Sequence, residues 1–523
     1  MKDSGAASAG ETQLTATPRA GSVPTMVIVV LGVVLAAATV LRFMAPPDLW
    51  LDEALSVNIA KLPLDQLRNA LVHDGAPPLY YVLLHGWIGV FGSSSVAVRL
   101  LSGCLGVAAI GLAYLAGRRL GRTPTVCRWL GVSAMLVVAV SPYAIHYASE
   151  ARMYSLAMVL VLLGVIIGTD AWTAPSVPRL AAIALVTVDL LMAQYWSFFL
   201  VVPVAVGLVL LSVRGGAAAR RSARRMLLAV LAGGGLFLPW VPTMRTQLAH
   251  TGTPWDSPTS PVGATVKAVV AFGGGRTIEG WPQIEILVGL AALGMVTAFV
   301  GTRPRGFEPS TAAAAVMVVG AGTLVVGVVA STIAGVGFQD RYAAVVFPLF
   351  ALTVAAGVVA LNDVRLRVGV LVVITALGLI GGLRVARMVR TPSGRVAAVL
   401  SPHLRVADLV VYCPDQLGPS TARLLPARTR QVTFPRLRSP EFVDWTDYAD
   451  RNRAASPRRF AARVDRLAGT GRIWVVWSPG YRTLGTKCES AINELSGLRT
   501  PSDLVMAFDG PSDDTVEVRR FDP

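Results

Sequence analysis

Lysine is nearly missing from this chain: Lys2, Lys61, Lys267 and Lys487 are the only four among 523 residues. Charge as a whole is scarce. Asp, Glu, Lys and Arg make up 15% of the residues, against about a quarter in soluble proteins. A soluble fold is thereby excluded, because the 54% hydrophobic residues fall into repeated blocks long enough to cross a bilayer. Cysteine is sparse too. Cys104, Cys127, Cys413 and Cys488 form no Cys-x-x-Cys and have no histidine pair beside them, which removes a zinc site from consideration. No glycine-rich phosphate loop follows a strand-like run, so no nucleotide site is legible. The polar first twenty residues lack a short apolar core ending in a small-residue cleavage site, and the run from Met26 is expected to stay as an anchor.

The charge that is present is basic, with 47 Lys and Arg against 31 Asp and Glu and a formal net charge of +16. Its placement argues against nucleic acid, since no basic segment interleaves aromatic residues. Arginines instead cluster between apolar blocks, as in Arg118-Arg119-Leu-Gly-Arg122 and Arg220-Arg221-Ser-Ala-Arg224-Arg225. Such clusters hold loops on the cytoplasmic side.

Apolar runs fit to cross the membrane lie near 24–43, 97–117, 129–147, 153–169, 180–196, 197–213, 226–244, 284–302, 311–335, 342–361 and 368–388. The run Pro77–Phe91 is short and opens on two prolines. If it does not span, and the N-terminus is cytoplasmic, the loops 118–128, 170–179, 214–225, 303–310 and 362–367 lie inside with fourteen arginines. If it spans, all fourteen move outside, against the positive-inside rule. Pro77–Phe91 is therefore expected to lie at the outer surface as an amphipathic helix held by its aromatic residues. The expected fold is a polytopic α-helical membrane protein of about eleven transmembrane helices in a bacterial plasma membrane, with a small C-terminal α/β extracytoplasmic domain. The expected domains are a cytoplasmic polar tail 1–23, a transmembrane domain 24–390 with its first extracytoplasmic loop at about 44–97, and the α/β domain 391–523. Ala407–Cys413 and Arg472–Ser478 read as its strands, and Arg458–Leu467 as a helix. Cys413 and Cys488 could pair there if that domain is extracytoplasmic.

This orientation gathers polar groups at one membrane face: Asp52 and Glu53, the segment His73–Trp87, Arg99, the segment His146–Tyr154, Tyr195 and Gln339–Tyr342. Two readings stand for Asp52 and Glu53, solvated loop acids or carboxylates made basic by partial desolvation at the interface. Glu150 and Arg152, at a junction of two spans, read as an ion-pair network tying the helices, as an anionic lipid head-group site in which Glu150 orients Arg152 and its neighbours, or as both. Arg99 and Arg341 can snorkel to the interface. Together with Arg152 they can also form a cationic rim that binds phosphate. His85 and His146 read as interface residues or ligands, and Tyr80 and Tyr81 as belt residues with an option on phosphate or sugar. Tyr154, Tyr195 and Tyr342 support the same face.

These runs resemble a known family. Trp50-Leu-Asp-Glu-Ala-Leu-Ser56, His73-Asp-Gly-Ala-Pro-Pro-Leu-Tyr-Tyr81, Leu83-Leu-His-Gly-Trp87, Val98-Arg-Leu-Leu-Ser102, the stretch Ser141–Leu156 and Gln339–Tyr342 occur in this order. They look like the motifs of the protein O-mannosyltransferase-like (aminoarabinose-transferase-like) branch of GT-C membrane glycosyltransferases, over roughly residues 25–390. The resemblance implies eleven to thirteen spans and a first outer loop with juxtamembrane helices and a catalytic acid. It also implies a polyprenyl-phosphate sugar donor, mannose- or arabinose-like, used outside the membrane with inversion. By motif, Asp52 matches the catalytic or acceptor-binding acid, Glu53 supports it, and Arg99, Arg152 and Arg341 are the basic positions of the matching motifs; these three, with Tyr81, are the candidate ligands of the donor phosphate. The acceptor is a glycolipid, a polysaccharide or a protein, and membrane lipids are the surroundings. Two departures stand out: Gln194-Tyr-Trp-Ser-Phe198 lacks a histidine before the tyrosine, and lysine is almost absent. Asp52, Glu53 and Glu150 could hold a divalent metal ion, though no spacing demands one.

A transporter or lipid flippase for an anionic lipid-linked substrate is the competing expectation, since it too needs many spans and an arginine-lined groove. Transporters commonly carry internal repeats and midplane polar breaks. Gly233-Gly-Gly235 is the one such feature here, and close helix packing accounts for it equally.

Overall fold

The computed structural model describes residues 25–252, 259–274, 283–299, 311–481, 483–509 and 515–523. The expected cytoplasmic tail 1–23 and the loop 303–310 lie outside these residues. Within these residues each of the eleven apolar runs is largely helical. The helices are α1 (Thr25–Phe43), then α2 (Leu51–Ala60), α3 (Leu64–Asp74) and α4 (Leu79–Phe91) in the first loop. There follow α5 (Ser95–Arg118), α6 (Pro124–Val140), α7 (Pro142–Ala148), α8 (Tyr154–Thr173), α9 (Val177–Ala193), α10 (Ser197–Arg214) and α11 (Ala217–Phe237). The set closes with α12 (Val241–His250), α13 (Pro261–Phe272), α14 (Gln283–Phe299), α15 (Thr311–Ile333), α16 (Phe347–Ala360) and α17 (Val364–Arg387).

Among the described residues, seven segments are long and apolar enough to cross a membrane alone: α1, α5, α8, α10, the run α11–α12, α15 and α17. The bent pair α6–α7 makes an eighth. This is a multi-pass membrane protein. The runs expected at 180–196, 284–302 and 342–361 are the shorter helices α9, α14 and α16 of 17, 17 and 14 residues. Helix α16 is buried almost all round, as a central bundle helix must be. Its close approach to α14 passes through Gly357, where an added Cβ would come within 1.8 Å of the Leu290 carbonyl. Helix α4, at 13 residues, is ~20 Å long and falls short of a hydrocarbon core of ~30 Å. Tyr80, Tyr81 and Leu84 face inward on it, while Val90 and Phe91 are exposed.

The bend between α6 and α7 has a local cause. Pro142 has no N–H, so the carbonyl of Val138 loses its helical partner, and the chain turns by 60°. Ser141 caps the new helix, accepting from the Ala144 N–H at 3.2 Å. With no water in a bilayer core, orphaned carbonyls need a protein donor. Buried Arg42 of α1 supplies it, donating to the Val138, Ala139 and Ala38 carbonyls at 2.7 Å each. The connection that leaves α7, residues 149–153, reaches the first turn of α2.

After α17 the chain builds an α/β unit from α18 (Ser393–Leu400), β1 (Leu409–Cys413), α19 (Gly418–Ala422), β2 (Arg430–Thr433), α20 (Tyr448–Ala454), α21 (Pro457–Ala468), β3 (Ile473–Trp477), α22 (Lys487–Ser496), β4 (Thr500–Asp509) and β5 (Thr515–Asp522). The sheet order is β2-β1-β3-β5-β4. Strand β1 is parallel to β2 and β3, and β5 is antiparallel to β3 and β4. Strands β1 and β3 are apolar throughout because separate cores cover their two faces. Cys413 and Cys488 are disulfide-bonded.

The sheet unit docks on the first loop. The Trp445 N–H donates to the His73 carbonyl at 3.0 Å and the Asp447 N–H to the His250 carbonyl at 2.8 Å. Asn58 Nδ2 donates to the Glu441 carbonyl at 2.7 Å, and Leu55 packs with Val443, Trp445 and Tyr448. The α/β unit and the two acids of α2 therefore share one end of the bundle.

Candidate active site

The site starts at the first turn of α2. Trp50 is extended, and Asp52 and Glu53 follow at the helix N-terminus, where the helix dipole favours negative charge. Glu53 turns back into the protein. Its Oε2 accepts from the Trp50 N–H at 3.3 Å and its Oε1 from the Ala151 N–H at 2.9 Å. Arg99 grips both oxygens, Nε to Oε1 at 2.7 Å and Nη2 to Oε2 at 2.6 Å. The same guanidinium donates to the Pro46 and Asp48 carbonyls. This bidentate pair joins α2, α5, the chain before α2 and the connection 149–153, and the Glu53 side chain has 0% exposure.

Asp52 points the other way and keeps 16% exposure. Its Oδ2 lies 3.1 Å from Arg341 Nη1 and 4.0 Å from Arg152 Nη2. Arg152 Nη1 donates to Ser56 Oγ at 3.0 Å and to the Tyr81 hydroxyl at 3.1 Å. Tyr81 in turn donates to Asp74 Oδ2 at 2.6 Å. Arg341 lies over the rings of Trp50 and Tyr342, at 5.7 and 6.0 Å, a cation–π setting that orients it. Its backbone is fixed as well. Asp340 Oδ1 accepts from the Arg341 N–H at 2.8 Å, Tyr143 donates to the Asp340 carbonyl at 3.0 Å, and Gln194 Nε2 donates to the Tyr342 carbonyl at 3.2 Å. Tyr154 stands edge-on to Tyr147 at 4.7 Å, and Tyr147 reaches Asp340 Oδ1 at 3.4 Å.

Glu150 is buried behind this face, outside the spanning helices. His146 Nε2 lies 3.5 Å from its Oε2, and its Oε1 has no hydrogen-bond partner. Burial pushes its carboxyl up to about 7, with Arg390 opposing the shift and Glu53 and Asp52 adding to it. Arg390 donates to Ser149 Oγ at 2.7 Å. Asp74 is also raised by burial, against the pull of Arg152 and the Tyr81 hydrogen bond.

The acids do not fit a divalent cation. Glu53 is taken by N–H donors on both oxygens, and Asp52 already faces two guanidinium groups. Among the described residues no group of three His, Cys, Asp or Glu side chains could hold a metal ion.

Two of the sequence-selected residues serve the frame. His85 Nδ1 meets the Ala60 carbonyl at 2.8 Å, closing the end of α2. Tyr195 accepts from Trp240 Nε1 at 2.9 Å and donates to Gln247 Oε1. Gln247 then donates to the Leu71 and Ala76 carbonyls at 2.7 and 3.1 Å. Sequence reasoning missed Ser56, Asp74 and Arg390, and it paired Asp340 with Arg341, whose side chain meets Asp52 while Asp340 takes its backbone N–H. Asp74 carried a signal: Gly75 and two prolines after it mark a tight turn toward Tyr81. Gly75 has φ +84°, and a Cβ there would come within 2.7 Å of Thr251 Oγ1.

Comparison with solved structures gives the frame a context. ArnT from Cupriavidus metallidurans in the apo state superposes with a TM-score of 0.60 at 13% identity, over 95% of this chain and 98% of that one. The same protein bound to undecaprenyl phosphate gives 0.57 at 14% identity over the same shares. The chain has the GT-C fold. The Archaeoglobus fulgidus oligosaccharyltransferase tethered with an acceptor peptide shares it with a TM-score of 0.50 at 10% identity, over 95% of this chain and 74% of that one. No family model and no curated protein matches the sequence.

Proposed function

We propose that this protein is a membrane glycosyltransferase that moves a sugar from a polyprenyl-phosphate donor to an acceptor hydroxyl outside the plasma membrane, with inversion. One observation carries the reading. Asp52, partly open, faces Arg341 and Arg152, while its neighbour Glu53 is closed off by Arg99. A base and a phosphate clamp therefore stand side by side, in a fold shared with an ArnT structure that holds undecaprenyl phosphate.

The chemistry follows from the geometry. The acceptor oxygen attacks the anomeric carbon while Asp52 takes its proton. The bond from that carbon to the phosphate oxygen breaks, and the electron pair leaves on the phosphate. Arg341 and Arg152 stabilise the departing charge, and no proton need reach a lipid phosphate at neutral pH. Before the donor arrives, Asp52 is the counter-ion of Arg341. A donor phosphate bound by Arg341 replaces it in that role and frees the carboxylate to act as base. Arg99 belongs to the frame in this account, since its donors are spent on Glu53 and two carbonyls. The outward orientation rests on the fourteen arginines assigned to the opposite loops. The disulfide in the domain docked beside Asp52 supports it, because such bonds persist in oxidising compartments. The sugar is a mannose- or arabinose-like residue, and the acceptor is a glycolipid, polysaccharide or protein.

Asp52→Asn is expected to abolish transfer from a polyprenyl-phosphate sugar in membranes, with protein abundance unchanged. Full activity in that variant overturns the reading.

A further inference from the structure

A cavity of about 400 Å³ lies between the first-loop helices and the α/β unit, within the ~300–1,000 Å³ of small-ligand sites. Leu55, Ile59 and Leu62 line it from the first loop, and Phe442 and Val443 from the α/β unit. Leu55 and Ile59 follow Asp52 by three and seven residues on α2, so they continue the same helix face. The cavity thus begins about one helical turn from the carboxylate. Asp74 lines it too and is tied through Tyr81 to Arg152. The chamber and the reacting face share a helix and a hydrogen-bond chain.

The wall chemistry narrows the occupant. Asp74, Asp415 and Asp444 are matched by Arg436, Arg438 and Arg451 around the space, and Asp444 holds all three arginines at 3.3–3.8 Å. Equal numbers of acids and arginines give no net attraction for a polyanion such as a nucleotide. Carboxylates and guanidinium groups beside leucine, isoleucine and phenylalanine suit a ligand with hydroxyls on its edges and C–H faces between them. We propose that this cavity binds a neutral saccharide at the acceptor's reacting end, so that the α/β unit and α2 together present its hydroxyl to Asp52. The assignment rests on the transferase reading above.

Its test does not require turnover. The full-length protein in nanodiscs is titrated with methyl mannoside, methyl arabinoside and mannotriose, and binding is read by saturation-transfer NMR. At least one probe is expected to bind. Ser439→Trp fills the cavity from an exposed position, and Phe442→Ala removes a wall; each is expected to weaken binding at least tenfold. Both positions are exposed, so the variants should fold, which a melting curve checks. Absence of binding by every probe, binding unchanged in both cavity variants, or competition by a sugar-free acyl chain instead overturns the proposal. If binding depends on the cavity but wild-type protein transfers no sugar from a polyprenyl-phosphate donor, the transferase reading fails and the saccharide site stands.

Discussion

Asp52 and Glu53 are adjacent in one helical turn and live in opposite surroundings. Glu53 is sealed, with every approach occupied by N–H donors from three other segments. Asp52 is left with one guanidinium at 3.1 Å, a second at 4.0 Å and an opening to solvent. A carboxylate whose lone pairs are already spent holds a structure together. One whose partner can be exchanged for an incoming anion is able to do chemistry. The same contrast separates Arg99 from Arg341.

The largest expected effect breaks this comparison at its two acids. In Asp52→Asn, kcat falls by ~10²–10⁴, the range of general-base catalysis, while the melting temperature holds. In Glu53→Gln, removing one partner of a buried pair costs ~3–5 kcal/mol of stability, so folded protein is lost while each remaining molecule transfers sugar. Transfer assays and thermal melts on both variants measure this. Equal losses of stability in the two would erase the distinction.

A smaller effect is expected at the clamp. Arg341→Lys keeps the charge but loses the planar fork that Trp50 and Tyr342 orient. Losing a charge-assisted hydrogen bond of ~1.5–3 kcal/mol raises donor KM by about 10- to 100-fold, with acceptor KM unchanged. Unchanged kcat and donor KM with a lowered melting temperature would place Arg341 in the frame with Arg99.

The smallest effect concerns Glu150, buried beside the site. Its carboxyl is raised to about 7, so its neutral form suits the fold. The stability it contributes is present at acid pH and is lost as pH rises through about 7. Glu150→Gln stays neutral at every pH. The variant should melt with wild type at pH 5 and above it at pH 8; identical melting at both would remove the burial argument.

Much of the frame was legible in the sequence. Apolar runs marked most helices of the bundle but not α13, whose 12 residues fall between two of them, and the arginine balance kept Pro77–Phe91, which holds α4, out of the expected spans. The acids, Arg152 and Arg341 were legible as candidates because charge is costly at membrane ends. Their partners were not. Arg99 and Arg341 look alike in a string of letters, and only the fold shows that one reaches Glu53 and the other Asp52. Arg390 read as the edge of a span, and its place near Glu150 depends on α17 crossing beside α7. His85 and Tyr195 stood out as polar groups in apolar runs. The folded chain uses them to hold a backbone carbonyl and a glutamine side chain.

The central claim is that donor phosphate takes Arg341 from Asp52. A cryo-EM structure of the wild-type protein with polyprenyl phosphate measures it directly. The account predicts phosphate oxygens on the guanidinium groups of Arg341 and Arg152, Asp52 released from Arg341, and the Glu53–Arg99 pair unmoved. A phosphate bound elsewhere, with Asp52 and Arg341 still paired, would contradict it.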